Sequence, residues 1–260
     1  MNRKKEALVN KVPKQIWMLL SFVLAIVLWI LISYSAKGSS VFATPIEVIG
    51  ALLRKGKDGT LWGHIGVSLF RVLAGFGLAF VISIPVAFLM AWYEVFRRLV
   101  EPWIQFIRNI PPLAYIPLII LAAGVGEKSK VIVIFIAAFL TLVVTVYQGV
   151  CNVDQTLIKA ARILGATDKD IFFKIIIPAS TPFILVGTRL GLSASLTTLI
   201  AAELTGATKG LGMMTRQASS LFELDVMLLG IILIGIIGIL FEKVVRFLER
   251  ELTGWQEKAQ

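Results

Sequence analysis

One cysteine and one histidine are all that the chain holds of those two residue types. The lone thiol, Cys151, excludes an internal disulfide framework and cannot build a zinc site unaided. The lone imidazole, His64, excludes a multi-histidine metal centre and leaves a histidine-based nucleophilic triad without context. Charge is scarce as well: 16% of the 260 residues are Asp, Glu, Lys or Arg, against about a quarter in an ordinary soluble domain. No cluster of His, Asp or Glu gathers at the end of an apolar run, which argues against an integral-membrane enzyme. Gly124-Val125-Gly126-Glu127-Lys128-Ser129 has phosphate-loop ingredients without phosphate-loop spacing, so no ATP site is expected in this chain.

What fills the chain instead is apolar. Hydrophobic residues make up 57% of it and the mean hydropathy is +0.86. The net charge of +10 does not point to nucleic acid, because the basic residues punctuate apolar runs rather than share one face. A bilayer crossing needs about 20 predominantly apolar residues, and six stretches qualify: 15–36, 71–93, 103–126, 131–150, 179–202 and 224–245. The first is too long for a signal-peptide core and is read as a retained span. Residues 1–14 and 251–260 are then polar ends on one side of the membrane. With the N-terminus inside, Lys and Arg favour the cytoplasmic side by about two to one, so the termini and residues 154–178 are expected there.

That stretch, Asp154 to Pro178, is the conspicuous amphipathic insert between apolar blocks. Leu157, Ala160, Ala161 and Leu164 recur at three- and four-residue steps, the spacing of one helix face. Gly165 follows where a left-handed residue ends a helix most cheaply. Thr167-Asp168-Lys169-Asp170 matches a capping box and opens a second short helix, with Ile171, Phe172, Ile175 and Ile176 as its apolar side and Pro178 at the entry to the fifth span. Two uses are open on these grounds: a compact knob that meets a soluble partner, or an interfacial helix whose Lys159, Lys169 and Lys174 lie on lipid headgroups.

The residues themselves carry a resemblance. Lys159-Ala160-Ala161, three residues, Gly165, nine residues, then Ile175-x-Ile177-Pro178 resembles the EAA loop of bacterial ABC-importer permeases throughout its spacing. Lys159 stands where the name-giving Glu usually is, and Ile177 replaces a Leu. Pro111-Pro112-Leu113-Ala114-Tyr115-Ile116-Pro117-Leu118 and Gly124-Val125-Gly126-Glu127-Lys128-Ser129-Lys130 are similar to the taurine, sulfonate and nitrate permease subfamily. Ala201-Ala202-Glu203-Leu204, Ala207-Thr208-Lys209-Gly210-Leu211-Gly212 and Leu252-Thr253-x-Trp255 are most similar to the taurine-type permeases.

The resemblance implies an all-α, six-span permease of the type I importer class in the bacterial inner membrane. It implies a second permease copy, two cytoplasmic ATPase subunits that bind ATP and Mg, and an external solute-binding protein. Lys159, Ala160, Ala161, Gly165, Ile175 and Pro178 then mark the loop that couples to the ATPase, with the small side chains Ala160, Ala161 and Gly165 as contacts. Taurine or another alkanesulfonate is the expected solute; nitrate, bicarbonate and aromatic or thiamine-precursor compounds are served by related permeases.

Within the spans, Arg189 is the costliest residue, since a charge at mid-membrane normally faces a cavity or a partner. It reads either as an electropositive point on an anion's path, with Ser193 and Thr197 adding hydroxyls, or as a structural Arg holding carbonyls or Glu203. Pro111, Pro112 and Pro117 break the third helix, which places it inside the bundle along the path or leaves it as a kinked peripheral helix. Gly187, Gly191 and Ser195 form a small-residue run suited to helix packing. Glu203 and Glu127, at external helix ends, are read as solvated or gating residues. A secondary transporter is the remaining rival, but neither internal repeats nor extra buried acids are visible.

Overall fold

The computed structural model describes residues 13–35 and 42–253, which are helical with no strand among them. Residues 1–12, Lys37 and the part of the tail from 254 onward, Trp255 included, lie outside the described residues. The all-α membrane class expected from the sequence is what the described residues form.

Helix α1 (Lys14–Ser35) is apolar and stands at the rim, joined to the next segment where the Trp29 indole donates to the Ala43 carbonyl at 3.0 Å. A capping box starts α2 (Pro45–Lys57): the Thr44 hydroxyl accepts from the Glu47 amide, and the Glu47 carboxylate accepts from the Thr44 amide. The long spans are α3 (Thr60–Trp92), α6 (Glu127–Cys151), α9 (Ile177–Leu204) and α11 (Leu224–Thr253). Between α3 and α6 come α4 (Glu94–Arg108) and α5 (Pro112–Ala123), and between α9 and α11 comes the short α10 (Leu211–Ser220).

Helix α6 is the axis. Its apolar window is 61% buried, against 6% for α1, and α3 and α9 pack on its two sides. Small residues allow that approach. A Cβ at Gly75 of α3 would lie 2.7 Å from the Ile134 side chain of α6, and one at Gly149 of α6 would lie 2.2 Å from Phe183 of α9. Gly187 and Gly191 face Leu142 of α6 and Ser195 is fully buried, so the small-residue run is packing surface. Several hydroxyls of α6 and α9 return to their own helix: Thr141 donates to the Ala137 carbonyl, Thr145 to Thr141, Thr188 to Ile184 and Ser195 to Gly191.

Three elements differ from the sequence expectation. The second span begins at Thr60, not near 71, so Arg71 lies one-third of the way along α3. The stretch 103–126 is part of a pair that begins at Glu94: α4 and α5 meet at 105°, as a broken span or a re-entrant loop does, and α5 is half exposed, with Ile116 its only buried side chain. Asn109, Ile110 and Pro111 form the corner, because Pro111 and Pro112 offer no amides to continue a helix. The fifth span has no break at Pro178 either. A proline ring should clash with the carbonyl four residues back, and a π turn, Phe172–Ile176, absorbs that conflict, its closing Ile177 amide donating to the Phe172 carbonyl. Helix therefore runs without interruption from Asp168 to Leu204.

Candidate functional site

At the end of the bundle where α6 begins, a buried polar network joins four segments. Arg71 of α3 is fully buried, and its Nε and Nη2 each donate at 2.6 Å to an oxygen of Glu127, the first residue of α6. Its Nη1 donates to Glu203 of α9 and to the Lys209 carbonyl, both at 2.7 Å. Glu203 also accepts from the Ser68 hydroxyl and the Gly212 amide, at 2.7 Å each. Ser68 in turn accepts from the Leu211 amide, and His64 accepts from the Gly210 amide through Nδ1. Among the described residues no buried side-chain polar atom lacks a partner.

Glu203 is thus not a solvated residue. It is sealed in, and the Gly210-Leu211-Gly212 backbone fits over it, since a Cβ at 210 would fall 2.3 Å from its carboxylate. The residue on Glu203 is Arg71, not Arg189. Span counting places residue 71 only as the start of the second span, yet the sequence holds a signal: His64, Ser68, Arg71 and Gly75 recur at three- and four-residue steps and line one face of an otherwise apolar helix.

Arg189 and Ser193 share a cavity of about 400 Å³ between α9 and α11, closed on the far side by Gly235, Gly238, Phe241 and Glu242. Thr197, one turn beyond Ser193, is exposed and donates to the Ser193 carbonyl. The volume lies within the range of small-molecule pockets. Glu242 is engaged by Arg246 in the next turn. The prolines are elsewhere. Pro111, at the corner, and Pro112 and Pro117, on α5, are exposed or half-buried, and Ile116 of α5 packs on Ala202, thirteen residues and about 20 Å along α9 from Arg189.

At the opposite end of α6, about 37 Å away along that helix, Asp154 caps α7 (Gln155–Ile163) by accepting from the Thr156 amide at 2.7 Å. That bond holds the Asp154 carboxyl below its ordinary range. Gly165, at φ +81°, ends the helix, with its amide donating to Arg162 and the Ala166 amide donating to Ala161. Thr167 and Asp170 form the expected capping box of α8 (Asp168–Ile171). Ile158 and half-buried Ala161 face the core, while Lys159, Ala160 and Gly165 are exposed and Ile163 and Leu164 are 86% and 87% exposed. Ile175 is half-buried and Pro178 exposed. The expected face is therefore split, with Ala161 anchoring the knob and Ala160 on its surface.

The family model described as "Binding-protein-dependent transport system inner membrane component" matches residues 79–254. A probable ABC transporter permease protein of Brucella abortus (strain 2308) is 47% identical over 93% of this chain and 96% of its own length. The taurine transport system permease protein TauC of Escherichia coli (strain K12) is 40% identical over 78% of this chain and 74% of its own length. Among solved structures, an inward-facing MetNI methionine ABC transporter superposes with a TM-score of 0.66 at 21% identity, covering 74% of this chain and 96% of the other.

Proposed function

We propose a solute and a coupling mode for this chain, which belongs to the family of binding-protein-dependent transport system inner membrane components. It is an ABC importer permease of the taurine, sulfonate and nitrate type, a membrane subunit whose ATPase is a separate chain. Membership implies ATPase and binding-protein partners.

The solute we assign is taurine or a similar small alkanesulfonate. Arg189, with Ser193 beside it, supplies the cationic point and hydroxyl that such an anion needs in a cavity of about 400 Å³. Two permease copies, termini in the cytoplasm, would face each other across this path, with two ATPase subunits holding ATP and Mg beneath them. The observation that carries the coupling reading is α7. A nine-residue helix capped at both ends presents Ala160, Ile163 and Leu164 to solvent, as a rigid knob entering a groove would. ATP binding would draw the two knobs together and open the dimer outward; hydrolysis would reset it. Lys159 is exposed, so its departure from the usual Glu leaves the knob's shape intact.

Uptake of labelled taurine into proteoliposomes tests this. Transport should require the ATPase, ATP and binding protein together, and should fail when Gly165 is replaced by Leu in a correctly inserted protein. Uptake without the ATPase overturns the mechanism. ATP-driven uptake of nitrate but not taurine overturns the solute.

A further inference from the structure

We infer that Arg71 is a latent binding site for the anionic group of the solute, occupied in the present state by the chain's own Glu127. The guanidinium holds both Glu127 oxygens through Nε and Nη2 at 2.6 Å. This paired fork is how an arginine takes any anion that offers two adjacent oxygens, a sulfonate as readily as a carboxylate.

The two acids on Arg71 are not equivalent. Glu203 is fully buried and has two further donors, the Ser68 hydroxyl and the Gly212 amide, so it is built in. Glu127 has a side chain 51% exposed, and Arg71 supplies both side-chain hydrogen bonds found at its carboxylate. It opens α6 directly after a short turn in which Gly124 has φ +84° and Val125 is 78% exposed. The half-exposed Glu127 side chain has solvent to rotate into, whereas Arg71, fully buried and held by Glu203 and the Lys209 carbonyl, cannot follow.

Departure of Glu127 would leave Arg71 paired with Glu203 alone and two donors facing outward. One anion then replaces another, and no buried charge is left uncompensated. A second cation stands by. Lys130 is almost fully buried, and the one hydrogen bond found at its Nζ goes to the Gly126 carbonyl at 2.9 Å. It borders a cavity of about 10 Å³, enough for a single water, so a solute fits only once the turn has moved. The site rests on the proposed reading that this end faces outward and that the solute is an anion. It would be the first contact for a solute leaving the binding protein, with Arg189 further along.

Equilibrium binding of methanesulfonate to the permease–ATPase complex, without binding protein, tests it, with dimethyl sulfone as the neutral counterpart. Glu127→Gln keeps the shape but weakens the internal competitor, and should tighten methanesulfonate binding about tenfold without creating dimethyl sulfone binding. Adding Arg189→Ala should preserve the gain; adding Arg71→Lys should remove it. A folded Glu127→Gln complex with wild-type affinity overturns the proposal, as does a gain that vanishes with Arg189→Ala. A gain for nitrate and none for methanesulfonate keeps the site and overturns the sulfonate reading. Orientation is checked by Val125→Cys in a Cys151→Ser background. Labelling by an impermeant maleimide from outside supports entry at Arg71, and labelling only from the cytoplasmic face refutes it.

Discussion

At one end of the bundle the partners of Arg71 all come from far along the chain, while at the α7 end nearly every interaction is local. Arg71 reaches Glu127 across 56 residues and Glu203 across 132. The α7 tip is shaped by contacts within five residues: the Asp154 cap, the Gly165 turn and the Thr167 box. One end is closed and fully paired; the other leaves Ile163 and Leu164 uncovered and borders a cleft of about 640 Å³ lined by Phe88, Trp92, Phe172 and Phe173. A closed polar network resists change until a competitor of like charge arrives. A locally built knob keeps its own shape, and its Ile158 and Ala161 contacts with the core are where force could pass to the rest of the fold.

Substitutions should separate the two kinds of construction. Arg71→Ala leaves two acids facing each other without their cation and should cost about 3–5 kcal/mol, seen as loss of folded protein in detergent melts. If it melted like wild type, the network would be ornamental. Gly165→Leu should cost only about 1–2 kcal/mol for a side chain at positive φ, yet abolish ATP-driven uptake, because the knob's end would be remade. Full uptake would show that the tip shape is irrelevant. Gly149→Ala should destabilise by about 1–3 kcal/mol through overpacking on Phe183, slowing uptake only in proportion to folded protein. Arg189→Ala should barely move the melt while reducing anion uptake about tenfold, whereas a lower melt with unchanged uptake would make Arg189 structural. Thr167→Ala should be mildest, loosening α8 by about 1 kcal/mol, read as faster amide exchange at 168–171.

The same contrast governs what was legible in the sequence. Gly165 and the Thr167–Asp170 box were readable because each is decided by residues three or four apart. Hydropathy marked the long apolar helices for the same reason, though not where α3 begins. Arg71 was not readable as a network centre, because a charge-free count ends a span at the charge and cannot see a carboxylate 132 residues away. Nor was the fate of Glu203, which depends on Gly210 and Gly212 folding over it. The corner at Asn109–Pro111 was half visible: the prolines announced a break, but whether it bends a span or separates two helices is set by what α5 packs against. At Pro178 the local rule pointed to a boundary, and a π turn removed the need for one.

The hydroxyls of α6 and α9 have one further consequence. Thr141, Thr145, Thr188 and Ser195 all bond backward within their own helices, and among the described residues no side-chain hydrogen bond crosses from α6 to α9. The two helices are therefore held by packing along most of their contact, with Arg71 as an ionic bridge between Glu127 and Glu203 at one end. Away from that bridge, a change in crossing angle would unpair no side-chain donor between them, so the interface is a joint pinned at one end and free of polar ties along the rest.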